Sequence, residues 1–225
     1  TDPWDNFAQM NTSSSHSCAL TTAGVAYCWG FNNFGQLGNN NVANKSNPVA
    51  VSIPAGVTFA AMSTGSQHTC ALTTAGAVYC WGLGQYGQIG DGSTSYFNMT
   101  PLAVTMPAGV TFTSISAGAF HTCALTSAGN AYCWGQNDYA QLGDSTYTSR
   151  STPIAVSMPV GVTFASISAG FDHTCARTST GNAYCWGHNQ YGQLGTSDLS
   201  HYVWTPSAVN TPAGIAFTTI STGNY

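Results

Sequence analysis

The sequence predicts an all-β protein: a β-propeller-type array of four blades of about 52 residues, each a four-stranded antiparallel sheet. Three observations carry this. The stretch His121-Thr-Cys-Ala-Leu-Thr-Ser-Ala-Gly-Asn-Ala-Tyr-Cys-Trp-Gly135 recurs with starts at His16, His68, His121 and His173, and successive first cysteines are 52, 53 and 52 residues apart. Self-similarity at a fixed period of this size marks a repeat architecture. Each unit holds several short segments that alternate apolar and small polar residues between Gly, Pro and Asn turn signals, the pattern of short strands. No segment keeps a helical period over a useful length.

The elements follow in the same order in every unit. Phe7-Ala-Gln-Met-Asn11 aligns with Phe59-Ala-Ala-Met-Ser63, Phe112-Thr-Ser-Ile-Ser116 and Phe164-Ala-Ser-Ile-Ser168, and reads as a first strand. His-x-Cys-Ala-Leu is the second strand, and Ala/Val-Tyr-Cys-Trp-Gly is the third. A Gly- and Asn-rich loop then closes on Gln-Leu-Gly, or Gln-Ile-Gly at Gln88. A polar stretch runs to Pro48, Pro101, Pro153 or Pro206. A fourth strand such as Ile154-Ala-Val-Ser-Met158 ends at a Pro-x-Gly turn beginning at Pro54, Pro107, Pro159 or Pro212. Residues 1–225 thus form one repeat array, with blades near 1–53, 54–106, 107–158 and 159–211 and an overlap strand at 212–225.

All eight cysteines lie in the repeat, as Cys18/Cys28, Cys70/Cys80, Cys123/Cys133 and Cys175/Cys185. The loop midway between each pair ends in Gly24, Gly76, Gly129 or Gly181, which suits a type I turn followed by a left-handed residue. Equal counting from that loop sets the two cysteines opposite each other on one face, roughly 4.5–5.5 Å apart at Cα, within disulfide reach. Four intra-hairpin disulfides are expected, each worth roughly 3 kcal/mol for so short a loop. The competing zinc reading lacks Cys-x-x-Cys spacing. Disulfides imply an oxidising compartment, extracellular or periplasmic, and the expected location is extracellular, secreted or at the cell surface, as a mature chain.

Charged residues make up only 4% of the chain, with no Glu and with Lys45, Arg150 and Arg177 as the only fixed cations. That excludes a basic nucleic-acid footprint and a polybasic membrane patch. No apolar run approaches the ~18 residues of a membrane helix, so membrane insertion is not expected. Hydrophobic content of 43% is enough for a packed core rather than disorder.

Taken together, His-x-Cys-Ala-Leu-Thr-x-x-Gly-x-x-Tyr-Cys-Trp-Gly-x-Asn-x-x-Gly-Gln-Leu-Gly resembles the repeat of the regulator of chromosome condensation family, over essentially the whole chain. The departures are Gly84 in place of the Asn and Ala140 in place of the Gly before Gln141. The paired cysteines resemble those of secreted bacterial members. The resemblance implies four-stranded blades, typically seven to a ring. It also implies non-enzymatic functions, such as nucleotide exchange on a GTPase, ultraviolet-B sensing in plants or inhibition of β-lactamases. Fold alone does not choose among these.

No nucleophile–base constellation, recurring carboxylate pair or phosphate loop is present, so neither an enzyme nor a cofactor is expected. The four repeated His suggest a metal ring, but their place on a strand face beside Cys and Leu reads as buried and structural. Trp29, Trp81, Trp134 and Trp186 read as packing against the neighbouring blade. Phe34, Tyr86, Tyr139 and Tyr191, in the loop before Gln-Leu/Ile-Gly, form a candidate aromatic set for a protein or a glycan. His188 and His201 do not repeat and carry no signal. Asn11, Asn44 and Asn98 begin N-glycosylation sequons, with the last two in equivalent loops; Thr100, Thr152, Thr205 and Thr211 precede Pro and are weaker O-linked candidates.

The ends of the array bear on function. A seven-bladed ring at this period needs roughly 360 residues, so four blades cover little more than half. An open arc exposes apolar faces and a strand edge, and both end units read as apolar as the middle ones. The missing neighbour is then supplied by a longer polypeptide, by closure into a four-bladed ring or by another copy. The leading expectation is an extracellular structural or adhesive scaffold that self-associates head to tail through blade edges, as a fibre or surface-assembly subunit, with Phe217, Ile220 and Tyr225 at the contact. The alternative is a secreted module that binds another protein, as an enzyme inhibitor does, through loops on one propeller face. Covalent glycans are the only other expected partners.

Overall fold

The computed structural model describes residues 6–223 and is all-β. The first blade comprises β1 (Phe7–Thr12), β2 (His16–Thr21), β3 (Ala26–Gly30) and β4 (Lys45–Ala50). The second comprises β5 (Phe59–Thr64), β6 (His68–Thr73), β7 (Val78–Leu83) and β8 (Phe97–Ala103). The third has β9 (Ser114–Ala117), β10 (His121–Leu125), β11 (Ala131–Gly135) and β12 (Arg150–Ala155). The fourth has β13 (Ser166–Ala169), β14 (His173–Arg177), β15 (Ala183–His188) and β16 (Tyr202–Ala208). Each blade is a separate antiparallel sheet with its strands in chain order. The innermost strands β1, β5, β9 and β13 touch in succession and line the axis.

The central hairpin of each blade turns as its residues dictate. In the first, Thr21 N and Val25 O are bonded at 2.9 Å across the loop and Gly24 takes φ +77°, where a side chain would also strike Thr58 and Phe59. The paired register then places Cys18 opposite Cys28, Cys70 opposite Cys80, Cys123 opposite Cys133 and Cys175 opposite Cys185. All four pairs are joined, with Cα atoms 4.1 Å apart.

Blades pack through a repeated aromatic wedge. Trp81, Trp134 and Trp186 are fully buried and stack on Phe59, Phe112 and Phe164 at interplanar angles of 20°, 21° and 19°. Each indole enters the preceding blade: Trp81 lies with Cys18, Cys28 and Leu37 of the first, and Trp134 with Cys70, Cys80 and Ile89 of the second. The core is therefore a series of interfaces between sheets.

Three sequence expectations are corrected. The fourth strand begins before its proline and ends sooner than expected: β12 contains Pro153 and stops at Ala155, leaving Val156, Ser157 and Met158 outside it. An outermost strand tolerates a proline because its outer side has no ladder partner. Residues 212–223 form no strand, although Phe217 N bonds Gly181 O at 2.9 Å as Phe164 N bonds Gly129 O; this segment takes the place of a fifth innermost strand without a hairpin to pair it. Tyr225 lies outside the described residues. The last blade is also less apolar than the others, because Arg177 stands where Leu20, Leu72 and Leu125 stand, and its Nε is buried without a partner among the described residues.

The array does not close on itself. Met10 is 60% exposed where its counterpart Met62 is 2% exposed, so the leading face of the first blade is uncovered. Trp29, Phe217 and Ile220 are only half-buried.

Candidate protein-binding face

Alternation of strand direction places the β1–β2 and β3–β4 connections of every blade at the same end of the sheets, and the long β3–β4 loops dominate that end. Their shape is held from within. Asn32 donates from Nδ2 to the carbonyls of Asn41 and Ala43 at 2.8 and 3.1 Å, and its Oδ1 accepts Leu37 N. Asn137 and Asn189 repeat these bonds in the third and fourth blades. In the second blade Gly84 replaces this Asn; a side chain there would strike Ser95 O, and the Asn98 amide lies beside the vacated position.

The next residues fix the loop aromatics. Oε1 of Gln36, Gln88, Gln141 and Gln193 accepts the backbone N–H of Phe34, Tyr86, Tyr139 and Tyr191 at 2.9–3.0 Å. The first three glutamines also receive the following blade through their carbonyls. The Gln36 carbonyl accepts Trp81 Nε1 at 2.9 Å and Thr69 Oγ1 at 2.8 Å, and Gln88 and Gln141 do the same with Trp134/Thr122 and Trp186/Thr174. Each Thr Oγ1 lies 2.8–2.9 Å from Nε2 of the preceding blade's His16, His68 or His121. Because the Thr proton goes to the Gln carbonyl, the His donates from Nε2.

Burial pushes the histidines down, His16 to about 4 and His68 and His121 to about 3, with neighbouring histidines adding to the effect at the latter two. His173 is lowered by burial and by His188. His16, His68 and His121 are clamps between blades. Among the described residues no three His, Cys, Asp or Glu side chains gather as a metal site requires.

The four loop aromatics do not meet as one set. Phe34, Tyr86 and Tyr139 reach across to the next blade instead, and Tyr191 stays within its own. Phe34 packs on Tyr96 at 5.9 Å and Tyr86 on Phe120 at 5.3 Å, with Phe120 in turn on Phe171. Tyr139 packs on His188 at 5.0 Å and on Tyr202 at 5.7 Å; Tyr191 contacts His188 from the other side. Tyr147 and Trp204 extend this patch, their centroids 4.5 Å apart. Tyr191 is 71% exposed and Trp204 46%, so the patch presents ring surface to solvent. Sequence reasoning missed Tyr96, Phe120, Tyr147, Phe171, Tyr202 and Trp204 and set His188 aside, because these residues vary from blade to blade and give no repeat signal.

The same end is mildly acidic. Asp91, Asp138, Asp144, Asp172 and Asp198 lie in its loops, against Lys45 and Arg150 at the starts of β4 and β12; Arg150 Nη2 is 3.0 Å from Asp144. Burial, then Asp138, raises the Asp172 carboxyl to about 6, while hydrogen bonds from Ser200 hold Asp198 below its usual range.

The sequons separate. Nδ2 of Asn11, on the innermost strand, and of Asn98, within β8 rather than in a loop, is buried. Asn44 is exposed in its loop, with Oδ1 accepting Asn32 N. Phe217 and Ile220 lie away from the aromatic end, against the fourth blade's sheet.

Comparison with known proteins agrees with this architecture. The family described as RCC1-like domain matches residues 1–225. The ultraviolet-B receptor UVR8 of Arabidopsis thaliana is 30% identical over 215 residues, which cover 95% of this chain and 48% of the relative. The E3 ubiquitin-protein ligase HERC2 of Homo sapiens is 34% identical over 184 residues, covering 81% of this chain and 4% of the relative. The chain thus spans about half, or less, of the length of these curated relatives. Among solved structures, human WBSCR16 superposes with a TM-score of 0.88 at 23% identity, covering 100% of this chain and 57% of that one. Prp20p of Saccharomyces cerevisiae gives 0.85 at 23%, covering 97% and 54%. At that identity the likeness speaks to fold alone.

Proposed function

The chain belongs to the RCC1-like domain family, and on that premise we propose that it is a non-enzymatic protein-binding segment that acts outside the reducing cytosol and grips its partner with the aromatic loop end. One observation carries the reading: rings from unrepeated positions of adjacent blades converge, half-exposed, on loops anchored by buried Asn and Gln side chains. Exposed Tyr and Trp on a rigid frame supply contact area at little entropic cost, which is what interface anchors do. With acidic residues around the rings, the matching surface is apolar at its centre and neutral to weakly basic at its rim. The oxidising location is supported by the four disulfides.

The test is capture of extracellular proteins from the native source by the oxidised chain and by a Tyr147→Ala, Tyr191→Ala, Trp204→Ala triple variant. A partner held by the first and released by the second, with melting temperature unchanged, supports the reading. Binding indifferent to the three substitutions refutes it.

A second reading is favoured by the uncovered ends. Met10 and Trp29 at one end, and Phe217 and Ile220 at the other, are surfaces of the kind that is buried between interior blades. On this reading these faces receive either further blades of a longer chain, as the greater length of the relatives allows, or a second copy joined head to tail as an extracellular scaffold.

A further inference from the structure

The third and fourth blades meet in a way the earlier blades do not. Asp138, in the long loop of the third blade, acts on Asp172, the residue before His173 in the fourth. At the first two junctions the same places hold Asn33 with Gln67 and Gln85 with Phe120, so two carboxylates oppose each other only at this one of the three. Asp172 is 6% exposed, and no hydrogen-bond donor meets its carboxylate among the described residues. Its oxygens are nonetheless not sealed from solvent. Asp138 Oδ2 accepts Gln136 Nε2 at 2.7 Å, while Gln136 Oε1 is buried without a donor among the described residues. The junction thus gathers acceptors, and the one donor it supplies is already in use. Rings border it: Phe120 and Phe171 pack at 5.8 Å, with Gln136 N bonded to Phe120 O, and Tyr139 packs on His188 at 5.0 Å, with His188 N bonded to Asp172 O.

The cations of the chain are engaged or remote. Arg150 is held by Asp144, Arg177 donates to Thr178 O, and Lys45 stands in the first blade. Burial, then Asp138, accordingly raises the Asp172 carboxyl to about 6, the response of a buried acid beside a second acid with no counter-charge. A carboxylate kept there at a cost in stability has its use when a cation arrives from outside. We propose that this junction is a socket for an arginine side chain of the protein partner, its guanidinium lying between the two aspartates. A guanidinium offers five N–H donors in one plane, enough for Asp172, the remaining oxygen of Asp138 and Gln136 Oε1, and it stacks on aromatic faces. A lysine ammonium, a point charge with three donors, satisfies fewer of these acceptors. A divalent cation is poorly served, because no third His, Cys, Asp or Glu joins the pair among the described residues. The proposal rests on the reading above that this loop end grips a protein, and it names the chemistry of that grip.

The test selects a random peptide library on the oxidised full chain at neutral pH. Enriched peptides are expected to carry an arginine whose replacement by citrulline, equal in shape but uncharged, weakens binding at least about 30-fold. Asp172→Asn should weaken the arginine peptide as much and the citrulline peptide hardly at all, the signature of a direct pair. The same substitution should raise the melting temperature, since a neutral amide replaces a buried unpaired charge. Asp138→Asn, at an exposed position, should weaken the arginine peptide by less and leave the fold intact. Peptides that need Tyr147, Tyr191 and Trp204 but are indifferent to citrulline overturn the socket and leave the protein-binding face standing. Peptides indifferent to those rings and to both aspartates overturn the two readings together. Calcium chloride that binds the bare chain at this pair and displaces the arginine peptides reassigns the site to a metal and overturns the proposal. A lower melting temperature for Asp172→Asn means that its carboxylate already has a partner, and overturns it as well.

Discussion

Mild acid should destabilise this protein through the histidine clamps between its blades. His16, His68 and His121 are buried, neutral and committed to donating from Nε2 to a Thr of the next blade. Their pKa values lie near 4, 3 and 3 in the folded chain, against about 6.5 when unfolded. The unfolded chain therefore binds protons that the folded chain refuses, and stability present at neutral pH is lost as pH falls below about 6.5. Between pH 7 and pH 5 the loss is about 2 kcal/mol per residue, roughly 6 kcal/mol for the three. His173, also lowered, acts in the same direction. Asp172 acts in the opposite one: its folded pKa is raised to about 6, so the folded chain takes up that proton first and recovers at most about 1 kcal/mol after solvent screening. A net loss near 5 kcal/mol lowers the melting temperature by roughly 10–20 °C for a chain of this length. Calorimetry of the oxidised protein at the two pH values, at equal ionic strength, measures it. A melting temperature that is unchanged or higher at pH 5 refutes the clamp account, as do His68 and His121 imidazoles titrating near their ordinary value.

Replacing Cys123 and Cys133 together by Ala should cost roughly 3 kcal/mol from chain entropy, visible as a lower denaturant midpoint; equal midpoints for variant and wild type would contradict it. Ala140 sits at φ +61° where the other three blades have Gly35, Gly87 and Gly192. Ala140→Gly should therefore gain roughly 1 kcal/mol and raise the melting temperature by about 2–4 °C. A lower melting temperature would mean that packing of the buried methyl outweighs the backbone strain.

The sequence by itself determined what repeats. Period, hairpin turn and cysteine register depend on contacts within about ten residues, so each copy of Cys-x-x-Thr-x-x-Gly reports the same local geometry, and four copies make it legible. The buried role of the histidines was legible for the same reason, although not their partners, because Thr69, Thr122 and Thr174 lie one blade away. Tertiary structure alone decided the rest. It buried the Asn98 amide beside Gly84, a pairing no local pattern announces. It broke the expected aromatic set into clusters completed by unrepeated residues such as Tyr202 and Trp204. It also left 212–223 without strand pairing, because a strand exists only where a neighbour accepts its hydrogen bonds. Local periodicity encodes the wedge; what stands beside each wedge is settled only when the wedges meet.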